Sequence, residues 1–224
     1  MPGGAAAGAR GMILYEIMSR SGYRPLARTL YRIEVAGAER IPASGPCILV
    51  ANHESVIDPW ILALATPRTI RFMAKAELWG NALGRTVMEG FGAFPVFRGS
   101  GDGVAMSRAA RLLAEGDVLG IFPQGTCAPR RHRPYMRGAA RLALATGTPV
   151  IPVALVGTEQ AWRPHRPKFG LPKIRVLVAR PLELARQRPT LVGARELTRR
   201  MEEAIAELRK PYGELKHAWI EETA

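Results

Sequence analysis

Short apolar runs alternate with stretches of helical periodicity along most of the chain. The runs are three to six residues long and rich in Val, Ile and Leu, which is typical of strands buried in a sheet. They predict strands at Ile33–Val35, Cys47–Ala51, Ile70–Met73, Gly92–Val96, Val118–Phe122, Val150–Leu155 and Ile174–Val178. The stretches between them predict helices at Pro59–Ala65, Leu83–Gly90, Val104–Ala114, Arg137–Ala145 and Leu191–Leu208. This alternation predicts an α/β fold with a mostly parallel central sheet flanked by helices.

The N-terminal segment has a different pattern. Residues 1–10 are small and rich in Gly and Ala, which predicts a flexible start. From Met12 to Tyr31, apolar residues recur at near-helical spacing among arginines, which predicts two amphipathic helices with a break around Ser19–Gly22. Basic amphipathic helices are typical of proteins that lie on a membrane surface; the alternative is a helix packed on the core with its arginines in water. We therefore divide the chain into residues 1–32, the flexible start and amphipathic helices, and residues 33–224, a single α/β domain.

Composition narrows the class of protein. Apolar residues make up 47% and charged residues 23% of the 224, which excludes a disordered or fibrous chain. The two cysteines, Cys47 and Cys127, are too few for a secreted disulfide scaffold, so we expect a reduced intracellular protein, with a single bridge between them as the alternative. No run approaches the roughly 18 apolar residues of a membrane span, and the start is not typical of a signal peptide. We expect a soluble or peripheral protein.

The net charge restricts the partners. A formal charge of +13 favours phosphates, an anionic membrane surface, nucleic acid or an acidic carrier protein. The basic stretches Arg130–Arg133 and Arg163–Lys168 would suit nucleic acid, but no nucleic-acid-binding motif accompanies them and aromatic residues make up only 7%. We therefore expect no nucleic acid partner; the alternative is a non-enzymatic protein that binds nucleic acid or membrane through this charge.

A histidine and an aspartate follow the strand predicted at Cys47–Ala51. In α/β sheets, ligands bind where strands end and helices begin, and His53 lies on such a turn. Asp58 opens the next predicted helix, where it can face the imidazole, fix its tautomer and raise its basicity. The alternative is that Asp58 only caps the helix and that His53 is a structural histidine.

Cationic residues follow other predicted strands. Lys75 and Arg98 come after two of them, and a Pro/Gly turn at Phe122–Cys127 is followed by Arg130. Cations that converge at strand ends would bind an anion such as a phosphate, although each one alone is more often a solvated surface charge. The sequence contains no P-loop, no nucleophile elbow and no zinc-protease motif, so we expect neither a metal nor a cofactor.

Four blocks in this sequence, in this order, resemble those of the glycerolipid acyltransferases. The resemblance covers roughly residues 30–180, and Lys75–Leu78 is similar to a basic segment that the family carries between its first two blocks. The blocks are Asn52 and His53 with Asp58, Phe94–Arg98, Phe122–Thr126, and Val150–Ala154.

The resemblance implies an enzyme that moves a fatty acyl group from a thioester on CoA or acyl carrier protein to the hydroxyl of a lysophospholipid, as in the conversion of lysophosphatidic acid to phosphatidic acid. It implies that His53 is the general base and Asp58 its orienting partner. It also implies a protein that is cytoplasmic and peripheral on the inner face of the membrane. The substrate-binding residues implied are Asn52, Lys75, Arg98, Gln124, Gly125, Thr126 and Arg130.

The third block departs from the family pattern at two positions. Gln124 stands where the family has a glutamate, and Cys127 stands where it has an arginine. The first change removes a charge, and the second removes a bidentate grip on phosphate. Arg130 or its basic neighbours would compensate from the next turn. The alternative is an acyltransferase for an acceptor without phosphate, such as an amino-acid lipid or a secondary metabolite.

Overall fold

Seven strands form one sheet in the computed structural model, which describes residues 23–97, 103–127, 134–162, 170–184 and 186–212. The strands are β1 (Glu34–Ala36), β2 (Cys47–Ala51), β3 (Ile70–Lys75), β4 (Phe94–Val96), β5 (Val118–Ile121), β6 (Val150–Val156) and β7 (Arg175–Val178). Their order across the sheet is β1-β7-β6-β2-β5-β3-β4. The predicted strands are therefore present, within two residues at the start and the end of each.

All neighbouring strands are parallel except β6 and β7, which are antiparallel. Because β1 is parallel to β7, these two strands run opposite to the other five. The carboxyl ends of β2, β3, β4, β5 and β6 consequently lie on one edge of the sheet, where α/β proteins bind their ligands. The predicted fold class, a mostly parallel α/β sheet flanked by helices, is confirmed.

Local sequence signals mark one end of three of the described helices. Asn81 accepts a hydrogen bond from the Gly84 N–H at 2.7 Å and Thr190 accepts one from the Gly193 N–H at 3.0 Å, so both cap the N-termini of their helices. A left-handed Gly147 ends another helix, with φ of 72°. The helices are α1 (Tyr23–Leu30), α2 (Asp58–Leu62), α3 (Ala82–Gly90), α4 (Gly103–Ala114), α5 (Gly138–Thr146), α6 (Thr158–Ala161) and α7 (Leu191–Arg209). The short α6 was not predicted.

Helices cover both faces of the sheet. Leu49 of β2 points into one buried apolar cluster, which α1 and α2 complete on that face. Ile48 and Val50 point into a second cluster, which α4, α5 and α7 complete on the other face. This alternation follows from the period of two along a strand, and it explains why β2 is apolar throughout.

The N-terminal helix α1 is oriented with leucines outwards. Ala27 is buried, whereas Leu26 and Leu30 are 65% and 46% exposed. The Arg24 guanidinium instead turns back to the protein and donates to the backbone oxygens of Ala63, at 2.7 Å, and Thr66. The alternative interpretation, with the arginines of this helix in water, is therefore wrong for Arg24. The flexible start and the first amphipathic helix of the sequence prediction lie outside the described residues.

None of the helices described here combines the length and the apolar character that crossing a bilayer requires.

Candidate active site

The pairing of β2 with β5 brings two predicted site segments together. Val50 is the register partner of Ile121, and His53 and Gln124 each lie three residues further along their chains. The backbone N–H of His53 donates to Oε1 of Gln124 at 2.5 Å. The turn after β2 and the turn after β5 are thus joined at the carboxyl edge of the sheet.

His53 and Asp58 form a hydrogen-bonded pair. Nδ1 of the imidazole lies 2.8 Å from Oδ2 of Asp58, whose side chain is fully buried. The same oxygen accepts the backbone N–H groups of Glu54 at 2.6 Å and Ser55 at 2.7 Å. The carboxylate therefore binds the turn that precedes its helix. Three donors on one buried oxygen hold the His53 turn in a single arrangement.

This geometry leaves the second imidazole nitrogen free for chemistry. Because Asp58 carries a carboxylate beside Nδ1, that nitrogen is the donor in the neutral ring and Nε2 is the acceptor. The His53 side chain is 18% exposed, so the imidazole is packed but still reachable. The arrangement fits a general base that takes a proton at Nε2.

An aromatic stack supports the imidazole. The Phe122 ring is stacked on His53 with centroids 4.3 Å apart and an interplanar angle of 26°. Phe72 lies next to Phe122, with centroids 6.1 Å apart and planes within 6°. Gly120 leaves room for Phe72, because a Cβ at that position would lie 2.5 Å from the Phe72 ring. The two phenylalanine rings and the glycine fix the plane of the imidazole.

The turn after β5 is built around a glycine. Gly125 has φ of 72°, and a Cβ there would collide with Met136. Its N–H donates to the Phe122 oxygen at 3.0 Å and so closes the turn, while the contact of Gly125 with substrate stays a prediction. Thr126 is half-buried beside it. The shape of the turn is thus set by contacts within the protein. Thr126 stays a candidate for substrate binding.

Asn52 has a structural role in place of the predicted contact with substrate. Its side chain is fully buried. Nδ2 donates to the Leu155 oxygen at 2.9 Å, and the Leu155 N–H donates to Oδ1 at 2.8 Å. Asn52 therefore fastens the end of β2 to β6, since both ends of its amide are used by one backbone residue.

The predicted cations are placed differently from one another. Lys75 ends β3, two strands away from β2, and its Nζ lies 3.0 Å from Oε1 of Glu77. Both side chains of this ion pair are substantially exposed. Arg98 and Arg130 lie outside the described residues.

Both cysteines are free thiols. Cys47 is buried within β2, and burial raises the pKa of its thiol to about 11. Burial raises the pKa of the Cys127 thiol to about 12, with smaller contributions from the charges of Asp58 and Glu54. Cys127 is therefore neutral near pH 7, and it cannot supply the cation that the family places at this position.

One contact of the site has no signal in the sequence beyond the position of Glu54 next to His53. Nη1 of Arg209, the last residue of α7, lies 2.8 Å from Oε1 of Glu54. The two residues are 155 positions apart in the chain, and no spacing rule connects them. In the described part of the chain, no group of three His, Cys, Asp or Glu side chains is arranged to hold a metal ion.

The structure combines a mostly parallel α/β sheet with a hydrogen-bonded histidine–aspartate pair at its carboxyl edge. A family model described as Acyltransferase matches residues 32–156, more than half of the chain. The chain belongs to this acyltransferase family.

Individual relatives agree with this assignment. The 1-acyl-sn-glycerol-3-phosphate acyltransferase of Bacillus subtilis is 29% identical over 154 residues, which cover 68% of this chain and 75% of that protein. The human 1-acyl-sn-glycerol-3-phosphate acyltransferase alpha is 31% identical over 161 residues, which cover 68% of this chain but only 56% of that protein. The chain thus spans three quarters of the first relative and little more than half of the second.

A solved structure has the same fold. The crystal structure of PlsC, the 1-acyl-sn-glycerophosphate (LPA) acyltransferase from Thermotoga maritima, superposes with a TM-score of 0.71 at 25% identity. The superposition covers 96% of this chain and 86% of that chain.

Proposed function

We propose that the protein transfers a fatty acyl group from an acyl thioester, carried by CoA or acyl carrier protein, to the hydroxyl of a lysophospholipid. The acceptor is of the 1-acyl-sn-glycerol-3-phosphate type, which the names of the relatives from Bacillus subtilis and human indicate for those proteins. The product is then a phosphatidic acid and a free thiol.

His53 is the general base of the proposed reaction. Nε2 takes the proton of the acceptor hydroxyl while the oxygen attacks the carbonyl carbon of the thioester. The C–S bond then breaks, and the departing thiolate receives the proton from the imidazolium. The C–O bond of the ester replaces the C–S bond and the proton moves from oxygen to sulfur, so the step balances without a covalent acyl-enzyme.

One observation carries this proposal: the 2.8 Å contact between Nδ1 of His53 and Oδ2 of the buried Asp58. A carboxylate on the far side of the ring stabilises the imidazolium that forms during the reaction. The two further N–H donors on the same oxygen keep the carboxylate from rotating away. A histidine with only a structural role would not need this support on one nitrogen together with partial exposure.

We propose that the acceptor phosphate lies between the turns after β3, β4 and β5, where Thr126, Lys75, Arg98 and Arg130 would contact it. Lys75 supports this role because its present partner, Glu77, is an exposed carboxylate that phosphate can replace at little cost. Gln124 contributes by holding the His53 turn, since its side-chain oxygen is already bonded to the backbone.

A second candidate function keeps the reaction and changes the acceptor to a hydroxyl or amine without phosphate. The neutral Cys127 thiol favours it, because a guanidinium at this position would grip a phosphate and a thiol does not. Turnover of phosphorylated and unphosphorylated acceptors distinguishes the two candidates, and a strict requirement for phosphate would eliminate the second.

We propose further that the protein works on the anionic inner face of a membrane, as a peripheral and cytoplasmic enzyme. The exposed Leu26 and Leu30 of α1 support this location, since apolar side chains that point away from the core can enter the interfacial region of lipid. The net charge of +13 would strengthen binding to anionic lipid.

The test is a panel of donors and acceptors, read by thiol release and product mass. Wild-type protein should release thiol from acyl-CoA or acyl carrier protein in the presence of lysophosphatidic acid. We expect His53→Ala to lower kcat by about 10³-fold or more and Asp58→Asn by about 10²-fold or more. Arg199→Gln, which removes a surface charge from α7, is the matched control and should retain activity. Full activity of His53→Ala would defeat the mechanism.

A further inference from the structure

The C-terminal helix reaches the turn that carries the proposed general base. α7 packs Leu197, Met201 and Ile205 into the apolar cluster beneath the sheet and ends at Arg209. The Arg209 side chain is 24% exposed, and Nη1 lies 2.8 Å from Oε1 of Glu54. A helix anchored by its apolar face thus presents a guanidinium to the residue after His53.

Glu54 is held from two directions. Arg209 binds its side chain, while its backbone N–H donates to Oδ2 of Asp58 at 2.6 Å. Oδ2 is also the atom that accepts Nδ1 of His53. Any rotation of the Glu54 peptide that follows a movement of its side chain therefore changes the environment of the same oxygen on which the imidazole depends.

The ion pair between Glu54 and Arg209 lies in a nearly buried, acidic environment. The Glu54 side chain is 9% exposed, and the carboxylates of Glu159 and Asp58 are its neighbours. Burial, with smaller contributions from the two carboxylates, raises the pKa of Glu54 to about 7, although Arg209 opposes the rise. The second oxygens of Glu54 and Glu159 are buried and have no hydrogen-bond partner among the described residues. Without Arg209 the pKa of Glu54 would rise further, and the charged form of Glu54 would face two carboxylates with no cation among the described residues to compensate it.

Two other titratable groups lie close to this cluster. The charges of Glu54 and Arg209 both affect Tyr135, whose pKa burial raises, and the charge of Glu54 affects Cys127. Both groups stay neutral near pH 7 and therefore add no charge to the cluster. Arg209 is the cation that faces Glu54 in the described part of the chain.

We propose that Arg209 and Glu54 are positioning residues, whose ion pair ties the end of α7 to the His53 turn and thereby fixes the imidazole against Asp58. The inference rests on the proposed function of His53, and it extends the active site to a helix outside the region that the family model matches. Neither residue touches the substrate in this proposal. They affect the position of the His53 imidazole and not the binding of substrate.

The test uses the full chain and four variants: Arg209→Gln, Glu54→Gln, the double variant, and Arg209→Lys. Arg209→Gln should lower kcat about tenfold or more, with the KM values of thioester and acceptor changed about twofold or less, because misplacement of a catalytic group acts on turnover. Glu54→Gln in the Arg209→Gln background should recover part of kcat, since it removes the uncompensated carboxylate. Arg209→Lys should have a higher kcat than Arg209→Gln, because the lysine keeps a positive charge at this position.

A second measurement does not depend on turnover. The Nδ1 proton of His53 can be followed by NMR and assigned by its loss in His53→Gln. We expect its resonance to shift or broaden in Arg209→Gln and to stay unchanged in Arg199→Gln, the control, which removes two exposed ion pairs from the same helix.

Three outcomes would overturn the proposal. They are an unchanged kcat together with an unchanged Nδ1 resonance in Arg209→Gln, additive losses in the double variant, or an equal loss in Arg199→Gln. Failure of the proposed function is distinguishable from these, because active His53→Ala would refute the base while the resonance would still report whether Arg209 positions the ring.

Discussion

The side chain of Gln124 holds the backbone of His53, with Oε1 of the amide accepting the N–H at a distance of 2.5 Å from the backbone nitrogen. Gln124 stands where the family has an acid, and an amide oxygen accepts from a backbone N–H as a carboxylate does, with less strength. In this chain the two turns are therefore joined by an uncharged acceptor at the position where the family has a charged one.

Replacement of this amide tests the role of the bond. We expect Gln124→Leu to leave the half-buried His53 N–H without an acceptor, which should lower the free energy of unfolding by about 1–3 kcal/mol and reduce kcat. Gln124→Glu should keep the bond and retain most of the activity. Urea unfolding and thiol-release kinetics measure the two effects. Equal stability and kcat in Gln124→Leu and wild type would show that the bond is dispensable.

Gly120 tests the aromatic stack. In Gly120→Ala the new Cβ would lie 2.5 Å from a Phe72 ring carbon and 2.9 Å from Cγ2 of Ile70, so the ring has to move. We expect a loss of about 1–3 kcal/mol in the free energy of unfolding and a lower kcat, because Phe72 supports the Phe122 ring under His53. Gly138→Ala is the control, since a Cβ there meets nothing within 4 Å. If the two variants behave alike, the stack does not position the imidazole.

Glu54 predicts a pH dependence of stability. Its pKa is about 7 in the folded protein and near 4.5 in the unfolded chain, so the folded state binds the proton more tightly between these values. The contribution of Glu54 to the free energy of unfolding should therefore fall as pH rises from about 4.5 to 7, by up to about 3 kcal/mol. Urea unfolding of wild type and Glu54→Gln across this range measures it. The stability of the variant relative to wild type should rise with pH, and parallel profiles would contradict the prediction.

The exposed leucines of α1 predict membrane binding. Leu26→Ser with Leu30→Ser should weaken binding to vesicles with anionic lipid about tenfold or more, because two apolar side chains no longer enter the interface. The matched control is Leu191→Ser with Val192→Ser, which removes two exposed apolar residues, 58% and 76% exposed, from the helix layer on the opposite face of the sheet. Sedimentation with vesicles compares the two pairs. Equal weakening by both would show that α1 is not the contact.

Much of the fold could be predicted from the sequence because its strands are short continuous apolar runs. The predicted bounds of β2 are the observed ones, because all five of its residues are apolar and buried. A Ser-Gly-Pro segment precedes the strand and polar residues follow it. The reversal of β7 could not be predicted. Periodicity reports which residues are buried, but it says nothing of the direction in which a strand enters the sheet.

The candidate site could be predicted in part. The spacing from His53 to Asp58 indicated a contact within one turn, and that contact is present. The role of Asn52 could not be predicted, because its partner Leu155 lies on a strand more than 100 residues later in the chain. The contact between Glu54 and Arg209 is equally non-local and depends on the packing of α7 against the whole sheet.

The register between β2 and β5 makes loop length a stricter constraint than residue identity at this site. His53 and Gln124 meet because each lies three residues beyond a paired position, Val50 in β2 and Ile121 in β5. We call these two three-residue segments the overhangs. A single alanine inserted into either overhang would keep every side chain of the site and still separate the two turns. We expect such insertion variants to be inactive and point substitutions at the same positions to have milder effects. That result would show that activity depends on the matched lengths of the two segments.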